Sequence, residues 1–130
     1  MTSMRHVLVV ASRTAVAADL REALLARAEL GPVEFTLLLP APTASIGEAG
    51  VRLRDAVKGL RAVGLDVAGQ LGEAADPAAA VAAVWDATEY DEIVVATLPP
   101  ERSHWLTLDV PERIRRETGI DVAHVVASDS

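Results

Sequence analysis

The chain has no cysteine in its 130 residues, which excludes disulfides, thiolate metal sites and thiol catalysis outright. Aromatic residues make up 3% of it, so a core has to be built from valine, leucine and alanine. There is no cationic excess: Lys and Arg number 12 against 19 Asp and Glu, a net charge of −7. That argues against nucleic acid or an anionic membrane as partner, since both need a cationic face. No apolar run approaches the length that crosses a bilayer, and the opening MTSMRHVLVVAS has too short an apolar centre for a secretory signal. We therefore expect a soluble, cytoplasmic protein, with which the lack of cysteine is compatible. Glycine-rich dinucleotide and Walker motifs are missing. No three His, Asp or Glu residues fall at metal-ligand spacing, so no metal is expected.

What is present is a regular alternation of apolar runs and amphipathic stretches, 51% hydrophobic in all and long enough to bury the core of one domain, residues 1–130. Residues 6–10, 33–39, 65–71, 92–97 and 121–127 read as strands. The first and fourth are continuous apolar runs, as in strands buried on both faces. Residues 15–30 predict a helix with Val16, Leu20, Ala23, Leu24 and Ala28 near one face, Ser12 or Thr14 available as its cap, and Gly31-Pro32 ending it. A capping box, Ser45-Ile46-Gly47-Glu48, opens a second helix to about residue 63, whose apolar face is Ala49, Leu53, Ala56, Val57 and Leu60. Asp76-Pro77 opens a third, with Val81, Val84, Trp85 and Thr88 on one face and Trp85 in the core. Residues 110–118, closed by Gly119, form the fourth. Strands alternating with helices demand parallel pairing and right-handed crossovers, hence a five-stranded, doubly wound, three-layer α/β sheet.

The stretch from Asp91 to Ile114, DEIVVATLPPERSHWLTLDVPERI, is where a ligand is expected. A buried strand runs into a polar loop with Arg102, Ser103, His104 and Trp105, then into a helix start at which Asp109 and Glu112 make a capping-box pattern. Strand, loop and helix N-terminus in that order form the crevice in which α/β proteins place ligands. Asp109 reads first as a cap and second as a ligand-binding acid. Arg102 and His104 are the sharpest polar candidates, against the alternative of a solvated loop. Trp105 reads as an anchor for that loop. Arg113, Arg115 and Arg116 with Glu112 and Glu117 form a mixed-charge face, and His6 and His124, both in strands, are structural. Ser103, His104 and Asp109 make no triad, because no nucleophile elbow precedes the serine.

Over essentially its whole length the chain resembles the universal stress protein family. The order of elements matches, and Gly72 with Asp76-Pro77 is similar to the family's turn between strand three and helix three. The family's nucleotide motif runs Gly, two residues, Gly, nine residues, Gly-Ser/Thr. Laid after strand four, it falls on Ala96, Pro99, Asp109 and Val110: the register is kept, but every glycine and the hydroxyl are replaced. The acid that ATP-binding members carry at the end of strand one is Ala11 here, followed by Ser12. The resemblance implies a Rossmann-like sheet of order 3-2-1-4-5, akin to the adenine nucleotide alpha hydrolases. It places a crevice among Ala11, Ser12, Arg13, Leu39, Ala96, Thr97, Pro99, Arg102, His104, Asp109 and Val110. Prolines offer no N–H to a phosphate, and an acid at a helix N-terminus repels one, so ATP as a cofactor is disfavoured. Family members dimerise through the last strand, which implies a homodimer through Val122, His124 and Val126. The expected function is a non-enzymatic binding or regulatory domain in the stress response. The alternative is a small-ligand or nucleotide binder using Arg102 and His104.

Overall fold

The computed structural model describes residues 4–11, 13–40, 46–72, 76–86, 88–97 and 109–127. Five strands, β1 (Arg5–Val10), β2 (Val33–Pro40), β3 (Val67–Gly72), β4 (Glu92–Thr97) and β5 (Val122–Val126), form one parallel sheet in the order β3-β2-β1-β4-β5. The doubly wound α/β fold and its strand order are therefore as expected. The central strands are the continuous apolar runs: Val7 to Val10 and Ile93 to Ala96 are each at most 1% exposed. Both faces of the sheet are covered, which is why these runs do not alternate with polar residues.

Helices α1 (Ala18–Glu29) and α2 (Ile46–Ala62) cover one face, and α3 (Pro77–Val84) and α4 (Val110–Thr118) the other. Under the first pair lie Leu20, Leu24, Leu53, Val57 and Leu60 against Val7, Val9, Leu37 and Val94. Under the second lie Val81, Val110 and Ile114 against Leu8, Val10, Ile93 and Val95. The apolar face expected for α2 is the buried one, all five of its residues being core. In α1 only Leu20 and Leu24 are fully buried, and Ala28 faces solvent.

Three local expectations are corrected. A 3-10 helix, Arg13–Val16, precedes α1, which opens at Ala17 with no side-chain cap. Thr14 is not a cap: its hydroxyl donates to the Ala96 carbonyl at 3.0 Å, across the sheet. Ser12 and Ser45 lie outside the described residues. Second, α3 stops at Val84 rather than running through Thr88, because the Asp86 carboxylate accepts from both the Thr88 amide (2.8 Å) and its hydroxyl (2.6 Å). Such side-chain bonds compete with helical ones. Trp85 ends the helix half-buried, stacked on Tyr90 at 5.8 Å. Third, Asp109 heads α4 without a side-chain cap bond, and Glu112 pairs with Arg115 and Arg116 instead of reaching back. The capping-box pattern there does not form.

Candidate functional site

The strand order reverses between β1 and β4, so the crevice of the sheet opens at their carboxyl ends. The base of this crevice is built from the chain's own bonds. The Ala11 amide donates to the Leu38 carbonyl (3.2 Å), holding the exit of β1 against β2. Thr14, 4% exposed, ties the 3-10 helix to the end of β4 through Ala96. Thr97, 2% exposed, puts its hydroxyl 2.7 Å from Nε2 of His124, and its carbonyl accepts from the Ala127 amide (2.8 Å). Ala11, Leu39, Ala96, Thr97 and Val110 thus meet at this end of the sheet, each no more than 2% exposed.

At the rim stands Asp109, solvent-exposed, with φ 56° and ψ 42°. Among the described residues it is the one non-glycine with positive φ. A left-handed residue at that point bends the chain sharply into α4, and aspartate tolerates it better than most side chains. Beside it, Arg113 grips Asp76 through both terminal nitrogens, at 3.0 and 2.7 Å. That guanidinium holds the Asp76 carboxyl below its ordinary value, and the helix amides of Ala78 and Ala79 act in the same direction. Glu112 is likewise lowered by Arg115. The cations of α4's first turns are therefore already engaged by carboxylates.

The open cavities lined by described residues include these two. One, of about 180 Å³, lies between the start of α1 and α2, among Ala17, Arg21, Asp55, Gly59 and Leu60. The other, of about 360 Å³, lies between α4 and β5, among Asp109, Glu112, Arg115, Asp121 and His124. No group of three His, Asp or Glu residues suited to a metal ion occurs among the described residues. Of the residues named from sequence, Ser12, Pro99, Arg102 and His104 lie outside the described residues, and Arg13 opens the 3-10 helix. Sequence reasoning missed Thr14's bond to Ala96, whose partners stand 82 positions apart, and the backbone state of Asp109. Both strand histidines have partners: His6 bonds the Thr36 hydroxyl at 2.7 Å and His124 that of Thr97.

No family model and no curated protein matches the chain. Among solved structures it is similar to that of hypothetical protein MJ0577, the subject of a structure-based assignment of biochemical function. The TM-score is 0.71 at 16% identity, over 98% of this chain and 100% of that one. What the two share is the fold. No helix among the described residues is long and apolar enough to cross a membrane.

Proposed function

We propose that the chain is a universal-stress-protein-like binding or regulatory module, non-enzymatic and cytoplasmic, homodimeric through β5, and with weak or no affinity for ATP. The observation that carries this reading is the backbone of Asp109. It stands where the family's motif has the glycine of its Gly-Ser/Thr pair, and its left-handed conformation is the one glycine takes most readily. The bend that would present amides to a phosphate is kept while the residue at it carries a negative charge. At the positive end of α4 that charge takes the place of an anionic ligand. Next to a triphosphate it would cost on the order of a few kcal/mol, enough to remove useful affinity. The net charge of −7 leaves a protein or small-molecule partner better suited than nucleic acid.

Calorimetric titration of ATP into the full chain and into Asp109→Gly tests the reading. The wild type should show no isotherm at millimolar nucleotide. The variant, with bend kept and charge removed, should gain affinity by about tenfold or more, the effect of removing about 1.4 kcal/mol of repulsion. Wild-type binding at millimolar affinity or tighter would overturn it. A thermal-shift panel of phosphorylated metabolites separates the regulatory module from a small-ligand binder working through Arg102 and His104.

A further inference from the structure

Strand β5, Val122-Ala123-His124-Val125-Val126, carries no formal charge other than what His124 can acquire, and it forms an edge of the sheet. Its inward side is fixed by the Ala127 amide, which donates to the Thr97 carbonyl. In a parallel strand the N–H and C=O of one residue point the same way, and successive residues alternate. Ala123 and Val125 therefore turn their backbone toward β4, while Val122, His124 and Val126 turn theirs outward, placed symmetrically about His124. A second copy running antiparallel, with the two-fold axis at His124, sets Val122 against the partner's Val126, Ala123 against the partner's Val125, and His124 against itself. Every outward donor and acceptor of the strand is then matched, and every pair but the central one is apolar. Moving the axis by one residue leaves Val122 or Val126 without a partner. This self-complementarity, with Val126 44% exposed, selects a second copy as the occupant of the edge.

We propose that two copies pair through β5 in this register, and that the facing His124 imidazoles make the association pH-sensitive. The inference rests on the homodimer reading above and adds its geometry and regulation. Among the described residues, the charged groups around His124 lie on its own face of the sheet. From α4 come Asp109, Glu112 and Arg115, and from the approach to β5 comes Asp121, around one open cavity. Glu112 is held by Arg115 and Arg116, and β4 contributes the Thr97 hydroxyl. Helix α1 packs on the opposite face, on the side of Ala123 and Val125. Burial already lowers the His124 pKa.

At the axis the paired strands bury each His124 further and set the two imidazoles on one face, about 5 Å apart at their Cβ atoms; desolvation and a second like charge both disfavour ionisation. The dimer therefore takes neutral His124, and its histidine titrates lower than the monomer's. Association is favoured above the monomer value and releases up to two protons per dimer below it. The dissociation constant then rises by up to about a hundredfold per pH unit of acidification in that range.

Sedimentation velocity of the full chain at about pH 8 and about pH 5.5 tests this, with circular dichroism to confirm folding, alongside His124→Asn and His124→Gln. We expect the wild type to be a dimer at the higher pH and to bind itself at least about tenfold more weakly at the lower, while both variants associate alike at the two. A wild-type dimer indifferent to pH, or a variant that keeps the wild-type response, overturns the histidine linkage. A wild type that is monomeric at about pH 8, at concentrations on the order of tens of micromolar, overturns the homodimer reading itself, and with it this inference.

Discussion

A methyl group added at Gly72 would meet the Cβ of Ala80 at 2.9 Å and the Cα of Pro40 at 3.2 Å. Neither atom can rotate away, because one belongs to the helix stem of α3 and the other to the backbone of β2. At Gly69 the same methyl would meet Val57 Cγ2 at 2.9 Å and Leu53 Cγ at 3.0 Å, side-chain atoms of α2 rather than backbone, which give way by a small shift of the helix. Overpacking of this kind costs about 1–3 kcal/mol. Gly72→Ala should fall at or above the top of that range and Gly69→Ala near the bottom, read as urea midpoints at constant slope. Equal losses at the two sites would mean that α3 yields as easily as the side chains of α2. The close approach at Gly72 brings the start of α3, and with it Asp76, within reach of Arg113, so one small residue helps set the geometry at the rim of the crevice.

Between elements, the Asp76–Arg113 pair fastens α3 to α4 beside Asp109. Both side chains are more than a third exposed, so solvent screens most of its strength and the stabilisation is small. Its pH dependence is nonetheless definite. The folded-state pKa of Asp76 is depressed below 3.8, so the pair contributes fully above the unfolded value and is lost as pH falls through the folded one. Arg113→Ala should lower the urea midpoint slightly near neutrality, and the gap between variant and wild type should close below about pH 3.8. A gap that persists in acid would assign the loss to packing of the arginine stem instead. Most of this element-level frame was legible in the residues. Val7 to Val10 and Ile93 to Ala96 read as central strands because burial on both faces removes alternation, and Ala49, Leu53, Ala56, Val57 and Leu60 declared the face of α2. What stayed hidden was decided by backbone state or by distant partners. Asp109 fits a helix cap in any local reading, yet its φ is left-handed, a backbone state that residue type and spacing do not announce. Thr14 beside a helix start resembles a cap until the fold brings Ala96 next to it. Thr88 has helical spacing, but Asp86 two residues earlier offers its amide a nearer acceptor.

For the molecule as a whole, charge and the β5 edge pull in opposite directions, and this makes the assembly testable. Each copy carries −7 near neutrality, with a pI of about 4.8, and Asp109, Glu112 and Asp121 lie beside the edge strand. Bringing two copies together therefore works against repulsion that reaches across roughly a Debye length, about 8 Å at physiological ionic strength and about 30 Å at low salt. If net charge alone governed association, acidification toward the pI would tighten the dimer, the reverse of what facing His124 residues demand. The sign of the pH response thus separates the two causes without any structure of the complex. Salt supplies the complementary measurement: at about pH 8, where His124 is neutral, raising ionic strength from low to physiological should tighten association by screening the acidic surfaces. The apolar pairs and backbone bonds of β5 are little affected by screening. Weakening by salt, measured by sedimentation across that range, would place complementary ion pairs in the interface and so rule out the uncharged β5 strand as its centre.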